Sequence, residues 1–103
     1  MYFIKPQSLN EKSLILDVRD DEAHTHEQLA LPHILIRADK VDPDKFMAEY
    51  NPDGAKPVNI LCMSGGVASE VAERFEKAGY PNVAVVVGGI IEAEYEGLEI
   101  LKN

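Results

Sequence analysis

Short apolar segments that alternate with helix-like segments are the feature that most restricts the fold of this chain. Four of them are too short for buried helices, at residues 13–18, 33–36, 58–61 and 83–87, and residues 2–4 can add an edge strand. Strands that are buried on both faces form nearly continuous apolar runs, which is typical of parallel sheets covered by helices. The pattern therefore predicts a parallel sheet of about five strands.

Two helix-like segments lie between these strands. Residues 42–50 begin with Asp42 as a helix cap and Pro43 at the first helical position. Residues 67–78 place an apolar set on one helix face, namely Val67, Val71, Ala72 and Phe75. Strands that alternate with helices predict an α/β domain with helices on both faces of the sheet. At this length we expect one domain over residues 1–103.

The acidic composition limits the partners of the chain. Its 10 Lys and Arg residues against 18 Asp and Glu residues give a net charge of −8. Proteins that bind nucleic acid usually present a basic face, so we expect no nucleic-acid partner. The charge also opposes long-range attraction of small anions. A solvated acidic surface accounts for it most simply, and a basic protein partner is the alternative.

Hydropathy and cysteine content indicate the expected compartment. No apolar run approaches the roughly 20 residues of a membrane-spanning helix, and the N-terminus lacks the pattern of a signal peptide. The single cysteine permits no internal disulfide. We therefore expect no membrane partner and a reducing, cytoplasmic location.

Cys62, the only cysteine, follows a predicted strand and precedes a glycine-containing loop and a helix. Binding sites in parallel α/β sheets lie beyond the carboxyl ends of the strands. Free backbone N–H groups and the positive end of a helix dipole stabilise a thiolate there, and a thiolate is a nucleophile or a sulfur carrier. The alternative is a buried structural cysteine that ends a core strand.

Several short motifs occur in an order that spans nearly the whole chain. They are LDVR at 16–19, LPHILI at 31–36, ILCMSGG at 60–66, AGY at 78–80 and VGG at 87–89. This ordered set resembles the single-domain rhodaneses. The resemblance implies a rhodanese-like parallel sheet flanked by helices, with Cys62 as the catalytic residue that carries a sulfane sulfur as a persulfide. We expect no cofactor and no metal.

The resemblance also implies a substrate class and a binding loop. The sulfur donor would be thiosulfate or a protein persulfide, and the acceptor a thiol. Backbone N–H groups after Cys62 would cradle the sulfur, and the predicted loop comprises Met63, Ser64, Gly65, Gly66, Val67 and Ala68. The hydroxyls of Ser64 and Ser69 can add donors, although Ser69 fits a first-turn helix residue at least as well.

The loop departs from the rhodanese pattern at two positions. The family loop commonly has the order Cys-Arg-Ser-Gly-x-Arg-Ser, and here Met63 and Val67 stand at the two arginine positions. An arginine would neutralise an incoming anion such as thiosulfate. Two functions therefore stay open: a sulfurtransferase that uses Cys62, and a rhodanese-like binding or regulatory module with weak or no catalysis.

Other enzyme classes with a cysteine loop before a helix fit less well. Cysteine phosphatases close their phosphate loop with an arginine, and no arginine lies between Cys62 and Arg74. Phosphocysteine carriers of sugar-transport systems place the loop after the first strand, whereas several predicted strands precede Cys62.

The histidines and Arg19 are the remaining candidates for a site. His24 and His26 lie in an acidic segment, but a metal site generally needs three or four ligands and no cysteine is near. We therefore expect no metal site, and we expect His33 at the start of a strand. Arg19 is expected to be structural, with Asp17 or Asp20 as its partner.

Overall fold

The computed structural model describes residues 1–103. Its strands are β1 (Tyr2–Ile4), β2 (Leu14–Asp17), β3 (Glu27–Leu29), β4 (Ile34–Leu35), β5 (Val58–Leu61), β6 (Val83–Val86) and β7 (Ile100–Lys102). Its α-helices are α1 (Asp21–His26), α2 (Pro43–Tyr50), α3 (Gly66–Lys77) and α4 (Gly89–Tyr95), and two 3-10 turns span Pro6–Ser8 and Ala38–Lys40. None of the helices combines the length and the apolar character needed to span a bilayer.

Five strands form one parallel sheet in the order β1-β6-β5-β2-β4. This confirms the predicted α/β fold and the predicted edge strand, β1. Strand β5 lies at the centre, between β2 and β6, so Cys62 leaves the sheet at the middle of its carboxyl edge. Strands β3 and β7 form a separate antiparallel pair that the sequence pattern did not indicate.

Helices cover both faces of the sheet, as predicted. Successive residues of β5 point to opposite faces, so Ile60 packs with Phe46 of α2 and Phe75 of α3, whereas Leu61 packs with Ile90 of α4. All five of these side chains are buried to 2% exposure or less. Complete burial of an apolar side chain of this size contributes about 1.5–3 kcal/mol. The two clusters therefore fix the helices that flank Cys62.

Helix α3 presents a slightly different face to the core than the sequence predicted. Its buried residues are Ala68, Val71, Ala72 and Phe75, which follow the helical spacing of three and four residues. Val67 is 44% exposed, so its assignment to the buried face was wrong. The core stripe begins one residue later, at Ala68, and leaves Val67 in the first turn where it faces a cavity.

Candidate functional site

The sulfur of Cys62 accepts hydrogen bonds from two backbone N–H groups. The donor of Gly65 lies 3.0 Å from Sγ and the donor of Ala68 lies 3.4 Å from it. The other four residues of the predicted binding loop donate no hydrogen bond to the sulfur and are exposed; they are Met63, Ser64, Gly66 and Val67. The arrangement forms a cradle in which N–H dipoles stabilise negative charge on sulfur.

The loop that forms the cradle depends on a glycine and on the first turn of α3. Gly65 has φ +114°, a left-handed conformation that other residues rarely adopt, and it curls the chain back over the sulfur. The hydroxyl of Ser69 donates to the carbonyl oxygen of Gly65 at 3.1 Å. Ser69 is therefore a first-turn helix residue, and it supports the loop without contacting the sulfur.

The start of α4 holds the same loop from the other side. The N–H of Ile90 donates to the carbonyl oxygen of Cys62 at 2.9 Å, and the N–H of Ile91 donates to that of Met63 at 3.3 Å. The backbone on either side of the sulfur is thus fixed by two helices. The sequence analysis did not predict that the start of α4 holds the cysteine loop.

A cavity of about 330 Å³ opens beside Cys62. Its other lining residues are apolar (Val18, Ala23, Met63, Val67) or charged (Arg19, Asp20, Arg37). Cys62 itself is only 3% exposed. A reactant therefore reaches the sulfur through this cavity.

Arg19 is structural, and its partner is Asp17. The Nε and Nη2 atoms of Arg19 donate to the Asp17 carboxylate over 2.9–3.2 Å, and the remaining contacts go to the carbonyl oxygens of Ala23 and Glu27. Both side chains of the ion pair are buried. The charge of Arg19 is thereby balanced, and its side chain is held in place in the wall of the Cys62 cavity.

Arg37 is the functional candidate that the sequence analysis missed. It follows β4, lines the Cys62 cavity and pairs with Asp39 through Nε–Oδ1 (2.6 Å) and Nη2–Oδ2 (3.1 Å) contacts. The hydrogen bond with Asp39 raises the pKa of Arg37 further above its ordinary value, so the guanidinium stays charged. The carboxyl ends of parallel strands share one edge of a sheet, and that rule pointed to the residues that follow β4.

His33, and not His26, is the histidine that lies beside His24. Their Nε2 atoms are 2.8 Å apart, and the ligand atoms of Asp17, His24 and His33 all lie within 4.8 Å of one another. These three residues are the closest approach to a metal set in the structure. The carboxylate of Asp17 already accepts hydrogen bonds from Arg19, so the cluster offers two free ligands where zinc usually takes four. The absence of a bound metal stays a prediction.

Comparisons with known proteins agree on the family. The rhodanese-like domain family matches residues 6–93. Protein SSP1007 of Staphylococcus saprophyticus is 28% identical with a TM-score of 0.76, and the match covers 96% of this chain and 99% of that one. A rhodanese-like domain protein of Staphylococcus aureus is 26% identical with a TM-score of 0.69, covering 96% and 97%.

More distant solved structures share the fold. The rhodanese of E. coli, solved with anions, is 21% identical with a TM-score of 0.69, and the match covers 88% of this chain and 99% of that one. No curated protein matches the chain. With the family match over most of its length and the cysteine loop at the sheet edge, the chain belongs to the rhodanese-like domain family.

Proposed function

We propose that this protein is a sulfurtransferase that carries a sulfane sulfur as a persulfide on Cys62. The observation that supports it best is the cradle, in which Gly65 and Ala68 donate backbone hydrogen bonds to Sγ beside an open cavity. A cysteine that only ended a core strand would need neither the curled glycine loop nor the cavity. Such donors hold a thiolate and, after loading, the negative charge of the persulfide.

The loading step is an exchange between sulfur atoms. The Cys62 thiolate attacks the outer sulfur of a donor persulfide and forms a new S–S bond. The S–S bond of the donor breaks, the inner sulfur leaves with the electron pair as a thiolate, and the proton of the outer sulfur is retained or lost to water. No oxidant or reductant is consumed, because the sulfane sulfur keeps its oxidation state.

The side chains around the cavity favour a persulfide over thiosulfate as the donor. Met63 and Val67 present apolar surface where an arginine would neutralise a dianion. Arg37 is already paired with Asp39, and the net charge of −8 opposes anion capture. We propose a persulfidated protein such as a cysteine desulfurase as the donor, since docking removes the need for electrostatic steering.

The acceptor in this account is a thiol, and the location is the reducing cytoplasm, where a lone reactive cysteine stays reduced. No nucleic acid and no membrane enter the proposal.

Side-by-side loading tests the proposal. Cys62 is loaded in single-turnover reactions from thiosulfate and from a persulfidated cysteine desulfurase at matched concentration. We expect faster loading from the protein donor, and none in Cys62→Ser. Equal or faster loading from thiosulfate would refute the donor assignment.

A binding or regulatory module is the second candidate. Met63, Val67 and Ile91 are 43%, 44% and 57% exposed, and the backbone contact between Ile91 and Met63 makes two of them neighbours. Exposed apolar side chains beside a cysteine loop suit a protein contact. Failure of both donors to load Cys62 would favour this second function.

A further inference from the structure

One cation and one carboxylate face the Cys62 cavity with unused hydrogen-bonding capacity. Arg37 binds Asp39 through Nε and Nη2 and leaves Nη1 without a partner. Asp20 accepts one hydrogen bond, from the N–H of Ala23 to Oδ1 at 2.8 Å, and leaves Oδ2 free. The third charged lining residue, Arg19, uses Nε and both Nη atoms in contacts with Asp17, Ala23 and Glu27.

The cavity lining therefore holds one free hydrogen-bond donor on a cation and one free acceptor on a carboxylate. Asp39 balances the charge of Arg37 from outside the cavity, as Asp17 balances that of Arg19, so Asp20 is the one charged lining residue without an ion-pair partner. Arg37 and Asp20 are close enough to interact: the hydrogen bond with Asp39 is the main cause that raises the pKa of Arg37, and the charges of Asp39, Asp21 and Asp20 raise it further. A dianion such as thiosulfate meets one unused guanidinium nitrogen, on an arginine that Asp39 already pairs, and the repelling carboxylate of Asp20.

A small zwitterion can use both the free guanidinium nitrogen of Arg37 and the free carboxylate oxygen of Asp20. We propose that the acceptor thiol is a free amino acid of the cysteine type, with its carboxylate on Arg37 and its ammonium group at Asp20. The apolar lining residues Val18 and Val67 then contact its short methylene stem. Asp39 holds the guanidinium in place, as a bidentate partner commonly does. This inference rests on the proposed persulfide function, and it names the acceptor for that function.

The transfer step balances without a further reactant. The thiolate of the bound amino acid attacks the outer sulfur of the Cys62 persulfide and forms the S–S bond of a new amino-acid persulfide. The S–S bond to Sγ breaks, and the electron pair returns to the Cys62 thiolate, which the N–H groups of Gly65 and Ala68 stabilise.

Four acceptor thiols test the contributions of the ammonium group and the carboxylate separately. Cys62 is first loaded with inorganic polysulfide, and loading is verified by intact mass. Single-turnover discharge is then followed with cysteine, cysteamine (ammonium only), 3-mercaptopropionate (carboxylate only) and 2-mercaptoethanol (neither), each rate being normalised to its thiolate concentration. We expect cysteine to discharge the persulfide fastest and 2-mercaptoethanol slowest, by about tenfold or more for each charged contact made.

Two variants assign each charge to its residue. Arg37→Gln should slow discharge by cysteine and 3-mercaptopropionate about tenfold and leave cysteamine unchanged. Asp20→Asn keeps the helix cap and should slow the acceptors with an ammonium group, cysteine and cysteamine. Lys45→Gln, an exposed residue of α2 outside the cavity, is the matched control and should behave as wild type.

The outcomes separate the two proposals. Equal normalised rates for all four acceptors, or rates that Arg37→Gln and Asp20→Asn do not change, would overturn the amino-acid acceptor while the persulfide function stands. Absence of any persulfide after the loading step would overturn the proposed function, and the acceptor assignment with it.

Discussion

Gly89 packs so closely against Cys62 that a Cβ atom at Gly89 would lie 2.4 Å from the carbonyl oxygen of Cys62. The carbonyl oxygen of Met63 would be equally close, and Gly89 has φ +60°. The first turn of α4 can therefore approach the cysteine loop only through a residue without a side chain. The cradle depends on a glycine that is 27 positions away in sequence.

Gly89→Ala is expected to destabilise the fold and the site together. Strain at positive φ and the clash with two carbonyl oxygens should lower the free energy of unfolding by about 2–4 kcal/mol. Chemical denaturation measures this loss, and the rate of persulfide loading should fall in the same variant. Gly66→Ala is the matched control, because a Cβ at Gly66 meets nothing within 4 Å and φ is not positive. Equal stability of the two variants would contradict the packing role of Gly89.

Val67→Arg is expected to improve sulfur transfer from thiosulfate to cyanide. Val67 is exposed and lines the Cys62 cavity, so an arginine there can reach an anion without disturbing the core. A charge-assisted contact contributes about 1.5–3 kcal/mol, or roughly ten- to a hundred-fold in apparent affinity for thiosulfate. Steady-state kinetics with varied thiosulfate measure the change. Val87→Arg, at an exposed position outside the cavity, should leave it unaltered. Strong thiosulfate affinity in the wild type would instead assign that role to another cation, with Arg37 the first candidate.

The partial burial of His24 predicts a dependence of stability on pH. Burial is the largest cause that lowers the pKa of His24 below 6.5, and the nearby carboxylate of Asp17 opposes it only in part. The folded state then binds fewer protons than the unfolded state when the pH falls below about 6.5, so protonation favours unfolding. We expect the free energy of unfolding to decrease from about pH 7.5 to about pH 5.5.

His24→Gln should flatten this decrease, as measured by denaturation at a series of pH values. His26→Gln, on the same helix but outside the pair, should keep the slope of the wild type. A His24→Gln variant with an unchanged slope would remove His24 from the account.

The sheet and the position of Cys62 were predictable because apolar runs and loop chemistry are local signals. The run at 58–61 coincides with β5, and the cap at Asp42 with the start of α2. Strands β3 and β7 were not predictable in this way. Their pairing joins residues 27–29 to residues 100–102, which are far apart in the sequence. Each strand has only three residues and mixes polar with apolar side chains.

The order of the strands in the sheet could not be predicted from the sequence either. Arg37 faces the Cys62 cavity because β4 lies beside β2, which lies beside β5, and periodicity along the chain does not give that order. The same holds for His24 and His33, which meet only after α1 and the start of β4 have packed on Asp17. The predicted binding loop was found by its glycines, but which of its N–H groups reach the sulfur depends on the curl at Gly65.

Persulfide formation on Cys62 tests the central claim most directly. Wild type and Cys62→Ser are incubated with a persulfidated cysteine desulfurase, separated from it, and weighed by intact mass spectrometry, with circular dichroism to verify that both are folded. We predict an added mass of about 32 Da, one sulfur atom, on the wild type alone, and its loss when a small thiol is added. A wild type without this adduct, or a Cys62→Ser variant that carries it equally, would contradict the account.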